Sequence, residues 1–396
     1  MKIKKIILLL LLPLSIWAAD VDENKSMFID SEDGSFDISD FLASKKGFLP
    51  IPMLITGPTF GLGGGLNVMF LHDSLMSKKN KDGHYIPPSI SGVVGGATQN
   101  GTKFGAAYHI GFYLDGNLRT TTFLGRPNAN MNYGEGDHSV GLNTLGYFAY
   151  QEVKYRFLKS NLFYGLNYTY MQVDTSLQNA PDFSNIPPDI QDYFKPYLNK
   201  TTYAGMAIVL EYDSRDSIFT PDKGLYAKAL VDFYSKSLGG EKDFNNYRTK
   251  VFYYHPISSK FIAGLRADFQ AVHGEDRAPA FMTPSIMLRG MPNHQYQGQT
   301  AVVSELELRY EVFHRNWLVA FGGVGKVYGD YTSERSASDV DGAQSFAEAP
   351  FHASYGLGYR YALARKFKLL AGFDVAKSQT DTAFYITVGS AWNAFY

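Results

Sequence analysis

From about Gly47 to the end of the chain, hydrophobic and polar residues alternate in segments of roughly ten to fourteen residues, separated by clusters of Gly, Pro, Asn and Asp. In Ala301 to Phe313, one face carries Val302, Leu306, Leu308, Tyr310 and Val312, and the other Glu305, Glu307, Arg309 and Glu311. Phe261 to Ala271 sets Phe261, Ala263, Leu265, Ala267 and Phe269 against Arg266, Asp268 and Gln270. Phe367 to Val375 repeats the pattern with Lys368 and Asp374 on the polar face. A period of two marks strands whose faces meet different surroundings. Sixteen such segments are counted, near 50–57, 60–71, 88–98, 102–114, 116–126, 144–157, 160–174 and 200–213, then 223–237, 243–257, 259–273, 299–313, 316–329, 350–362, 365–376 and 380–395.

The connections alternate in length. Those after segments 4, 6, 10, 12 and 14 are tight, as at Asp115-Gly116 and Ser258-Ser259, and those after 5, 7, 11 and 13 are long. Short turns at one end and long loops at the other characterise outer-membrane barrels, the short side being periplasmic. The long connection at about 72–87 breaks this rule. The expected fold is therefore all-β, a transmembrane antiparallel β-barrel of about sixteen strands with a long sixth extracellular loop. Its last segment puts Phe384, Ile386, Val388, Trp392 and Ala394 on one face and stops at Tyr396, an aromatic end of the kind outer-membrane assembly machinery reads. Closing this strand onto the first would remove an exposed apolar edge.

Ahead of the barrel, Lys2, Lys4 and Lys5 precede an apolar run from Ile6 to Trp17, with Ala18 and Ala19 as small residues for cleavage. This reads as a signal peptide over 1–19, too short to span a bilayer as a helix. Residues 20–46 are acidic and read as a leader that is flexible or forms a short helix near Ile38 to Ser44, leaving 47–396 as the barrel.

Composition adds exclusions. Lys plus Arg (37) nearly balances Asp plus Glu (38), so nucleic acid is not an expected partner. The chain has no Cys, which removes thiolate chemistry, disulfides and a lipidated cysteine. It has no G-x-S-x-G and no H-E-x-x-H, and its nine His are dispersed. No catalytic, cofactor-binding or metal-binding residue is expected, and Gly61 to Gly65 lacks the Lys-Ser/Thr of a phosphate loop.

Four motifs, in order along the segments, resemble those of the bacterial surface antigen superfamily, the BamA/TamA kind of outer-membrane protein. Asp213-Ser-Arg215-Asp216, followed by Pro221 and Gly224, looks like its D-x-R-D…P-x-x-G turn. Leu288-Arg289-Gly290-Met291 is similar to the V/L-R-G-aromatic motif of its sixth extracellular loop, with Met in place of the aromatic. Ser304-Glu305-Leu306 opens a strand like its S-x-E-L-R-Y, and Phe321-x-Gly323-x-Gly325 matches F-x-D-x-G with Gly323 where the family has Asp. The resemblance implies that the sixth loop folds into the lumen and that Arg289 and Gly290 latch it there, with Glu305 as a partner and Glu307 as a substitute for the missing Asp. It also implies a role in inserting or transporting protein or lipid across the outer membrane of a Gram-negative bacterium. The implied partners are outer-membrane lipids, the assembly machinery during biogenesis, and a periplasmic partner or client. Relatives carry periplasmic POTRA domains or a hydrolase before the barrel, and fewer than about thirty residues are expected here between signal peptide and barrel. Pro50 and Pro52, followed by Gly57, Gly61 and Gly63, suggest a weakly paired seam at the first strand, since Pro belongs at sheet edges. The alternative is a passive, porin-like channel, for which an inward face bearing Glu152, Lys154, Arg156, Lys228, Asp232, Arg248 and Lys250 would serve equally well.

Overall fold

A computed structural model describes residues 26–75, 86–133, 139–158, 160–178, 198–329 and 345–392. The signal-peptide stretch, most of the 72–87 connection and Tyr396 lie outside these residues. Sixteen strands form one sheet in chain order, each antiparallel to the next. They are β1 (Gly47–Ile55), β2 (Gly63–Leu71), β3 (Ile90–Thr98), β4 (Lys103–Tyr113), β5 (Leu118–Tyr133), β6 (Val140–Arg156), β7 (Leu162–Leu177) and β8 (Lys200–Asp213). The second half comprises β9 (Gly224–Tyr234), β10 (Phe244–Ser258), β11 (Phe261–Gly274), β12 (Thr300–Phe313), β13 (Asn316–Tyr328), β14 (His352–Ala364), β15 (Leu369–Ser378) and β16 (Thr382–Val388).

Burial fixes which face points inward. On β12, Leu306 and Tyr310 are 47% and 51% exposed, whereas Glu305 is 1% exposed. The polar face is inside and the apolar face outside, the reverse of a soluble sandwich and the arrangement a lipid-embedded wall requires. Inward charges are paired within and between the strands from β6 to β10. Lys154 lies 2.8 Å from Glu152 and 2.7 Å from Glu211, Lys228 lies 2.9 Å from Glu152, and Arg248 holds Asp232 at 2.8 Å.

Three elements depart from the sequence reading. β5 runs past Arg126, where it was expected to stop. Pro127 still pairs with Phe104 of β4, while the β5–β6 ladder skips from Gly125↔Phe148 to Asn128↔Leu145, so the missing donor of the proline faces β6. The last strand ends at Val388. The chain turns at Gly389, whose N–H donates to the Leu370 carbonyl (2.7 Å), and Ser390 N–H then donates to the Phe219 carbonyl (2.7 Å). Trp392 is therefore not on the outer face with Phe384 and Val388 but inside, 1% exposed. Finally, among the described residues no ladder joins β16 to β1, so the expected closure is incomplete. The β1–β2 ladder is unbroken from Gly47↔Leu71 to Ile55↔Gly63, which leaves the donors absent from Pro50 and Pro52 on the edge facing β16. The strand ends meet through Ile386 N–H donating to Thr56 Oγ1 at 3.4 Å.

The acidic stretch before β1 forms a 3-10 turn at Ser26–Phe28 and a helix, α1 (Ser39–Ser44). It packs on the short-turn end of the barrel. Arg315, in the β12–β13 turn, is held at 2.6 Å by each of Asp30, Asp33 and Asp37. Arg365, between β14 and β15, lies 2.9 Å from Asp30, and Ile38 N–H donates to the Leu363 carbonyl at 2.9 Å.

Candidate functional site

The long segment between β11 and β12 lies against the inward face and carries the Arg-Gly pair. Its backbone is anchored by a single bridge, Ser285↔Gln297, and by Ile286 N–H donating to the Tyr296 carbonyl. Apolar residues fix its depth. Ile286, Leu288, Met291 and Tyr296 are buried in one cluster with Ala301 and Val303 of β12 and Val327 of β13. Upstream, Ala280 packs with Met131 and Tyr133 of β5 and Val140 and Leu142 of β6, and Ala278 with Met171 and Val173 of β7. The His294 ring stacks 5.3 Å from Tyr133, and burial pushes its imidazole down to about 4, so it is neutral at physiological pH.

Arg289 sits at the turn of this segment, 1% exposed. Its Nε and Nη2 donate to Glu305 Oε1 at 3.1 and 2.5 Å, and Nη1 donates to Asp374 Oδ2 at 3.1 Å. Glu307 Oε2 lies 2.8 Å from Nη2 as an ion pair outside hydrogen-bonding alignment. The guanidinium also lies 3.5 Å from the centre of the Phe321 ring. Arg360 of β14 holds Asp374 from the other side at 2.8 Å, and Arg309 approaches Glu307 at 3.9 Å. Three cations thus face three carboxylates whose side chains are nearly excluded from solvent, and this mutual pairing is the condition under which buried charge is tolerated. Gly290 takes φ +90, and a Cβ there would meet Ala376 at 3.2 Å; its N–H donates to Tyr385 Oη at 2.9 Å.

Of the sequence-derived residues, Arg289, Gly290, Glu305 and Glu307 come together at this point. Asp374 completes the set. It was visible as a polar member of the β15 alternation, but its partner was 85 residues away and nothing local announced the contact. Trp392 also joins the site: its Nε1 donates to Glu305 Oε1 at 2.6 Å, and its ring packs on Phe252 and Tyr254. The bend at Gly389 thus brings the C-terminal aromatic to the carboxylate that holds the loop.

The Asp213–Gly224 motif lies elsewhere, at the short-turn end. Arg215 Nε lies 2.9 Å from Asp213, with its guanidinium 4.2 Å from the centre of the Tyr226 ring. Lys368, just before β15, bridges Asp216 and Asp222 at 2.6 Å each, and Leu370 N–H donates to Thr220 Oγ1. Arg309 donates to the Pro221 carbonyl. The turn after β8 therefore reaches across the barrel end to β12 and β15.

Comparison with known proteins bears on these features together. The family model described as the Omp85 superfamily domain matches residues 112–392. Among solved structures, BamA from Haemophilus ducreyi lacking POTRA domains 1–3 superposes with a TM-score of 0.61 at 13% identity, covering 87% of this chain and 70% of that one. CdiB from Acinetobacter baumannii gives 0.53 at 7% identity, covering 87% and 60%. CdiB from Escherichia coli gives 0.53 at 9% identity, covering 86% and 62%. No curated protein matches the sequence. With the family model covering more than half of the chain, this protein belongs to the Omp85 superfamily and is a β-barrel of the Gram-negative outer membrane.

Proposed function

We propose that this barrel inserts or moves protein or lipid at the outer membrane, and that the β11–β12 segment is a plug held in the lumen by Arg289. The observation that carries this reading is the convergence of Glu305, Glu307 and Asp374 on one loop guanidinium. Each buried ion loses several kcal/mol of hydration, so such a network specifies a position more than it adds stability. A loop tied across the bore restricts free diffusion, which suits a transporter that must stay sealed at rest. The edge at β1, where two prolines supply no donors, gives a second feature suited to opening, because among the described residues no ladder joins it to β16.

The test is reconstitution in liposomes with a small urea-denatured outer-membrane barrel as client, its folding followed by heat-dependent gel migration. Faster client folding than in protein-free liposomes supports the reading. Equal rates, with the barrel itself folded, contradict an insertion role.

A further inference from the structure

The inward face is not uniform around the barrel. From β6 to β15 it carries the paired charges described above. From β1 to β4 the register places Leu49, Ile51, Met53, Met69, Val94 and Ile110 inward with no charged side chain, and the polar Asn67 and Tyr108 on this face hydrogen-bond to each other at 2.9 Å. This uncharged wall runs from the unpaired edge of β1 to a cavity of about 410 Å³ between β3, β4, β5, β6, β7 and the β11–β12 segment. Phe104, Phe123, Met131, Phe148 and Met171 line it, together with Phe281 of the loop segment. The volume lies within the range of small-molecule sites, roughly 300–1,000 Å³, and well above the ~150 Å³ that suffices to hold benzene.

We propose that this cavity binds one acyl chain of a membrane lipid. Among the described residues, Thr144 and Arg126 are the only lining side chains with polar groups besides the Tyr147 hydroxyl. A peptide entering the cavity would bury amides without partners, at a cost of about 1–3 kcal/mol each, and ordered water would lack the two to four polar contacts it needs. A hydrocarbon chain has neither requirement. Its lining runs along β5 from Phe123 to Met131, about 26 Å at the rise of a strand, which is long enough to take much of an acyl chain. It also lies close to lipid. Arg126 and Tyr147, which point outward, border it where Pro127 interrupts the β5–β6 ladder, and the Arg126 guanidinium lies 5.2 Å from the centre of the Tyr147 ring. The cation stands at the outside of the wall, where a lipid phosphate is available.

The experiment places the barrel in nanodiscs containing a phosphatidylcholine with a diazirine midway along one acyl chain, and maps photo-adducts by mass spectrometry. Adducts on inward-facing Phe123, Met131 or Met171 are expected, together with adducts on outward-facing Leu124 and Leu145. Filling the cavity with Ala129→Trp should abolish the inward adducts and keep the outward ones. Heat-dependent migration verifies that the variant is folded, and Ala106→Leu replaces it if it is not. Adducts confined to outward residues in the unmutated barrel, or inward adducts that persist in the folded filled variant, would overturn the assignment.

Discussion

Gly323 stands where the family pattern has an Asp, and the surrounding packing explains why the chain does not need one. A Cβ at this position would sit 2.5 Å from Leu288 Cδ2 and 3.2 Å from Glu305 Cβ. The loop has taken the space of the missing side chain, and Asp374 supplies the missing carboxylate from β15. Restoring the family residue should therefore harm this barrel. Gly323→Asp adds a fourth carboxylate beside Glu305 and displaces Leu288, with an expected loss of about 1–3 kcal/mol from overpacking alone. The midpoint of urea-induced unfolding checks this; an unchanged or higher midpoint would mean that the Leu288 contact is not tight. Arg289, Glu305 and Glu307 were legible in the sequence because motif and alternation agreed on them. Asp374 was not, because a contact between an interior loop and the fifteenth strand depends on closure of the whole sheet.

At the scale of elements, strands were easier to read than their ends. Alternation located all sixteen, since each inward charge and outward apolar residue had to fall two apart. Pro127 misled the reading of β5 because proline removes a donor from one edge only, and the other edge continues to pair. The C-terminal strand misled it too: alternation was extended through Gly389 to Trp392, where a bend carries the aromatic inside. The acidic stretch before β1 carries no periodicity, yet Asp30, Asp33 and Asp37 find Arg315 in three dimensions. The Arg315 hydrogen bond draws the Asp33 carboxyl well below the usual range. The Glu32 amide and then Arg365 do the same for Asp30. Because these folded-state values are depressed, their contribution is fully present above about pH 4, the unfolded value, and is lost as pH falls through the lower folded ones. The segment should remain docked at pH 5 and release only below about pH 4. A fluorophore attached at a cysteine in place of Ser44, followed by anisotropy, reads this directly; release between pH 5 and 7 would contradict it.

For the molecule as a whole, one sheet supports two different interiors. Paired charges occupy the arc from β6 to β15 and hold the loop, the C-terminal turn and the β8–β9 segment together. The arc from β1 to β4 carries no charged side chain on its inward face, ends at an edge where Pro50 and Pro52 supply no donors, and leads to the cavity assigned to an acyl chain. Closure thus depends on interactions concentrated on one side, leaving the other free to open. The central claim is that Arg289 keeps a plug in the bore. Conductance of the refolded barrel in a planar bilayer, compared with Arg289→Ala, tests it most directly. The substitution leaves three buried carboxylates facing the vacated space, and breaking a buried ion pair of this kind costs about 3–5 kcal/mol. Small, flickering currents in the unmutated protein that become larger in the variant are the predicted result; large, steady currents in both would contradict the plug.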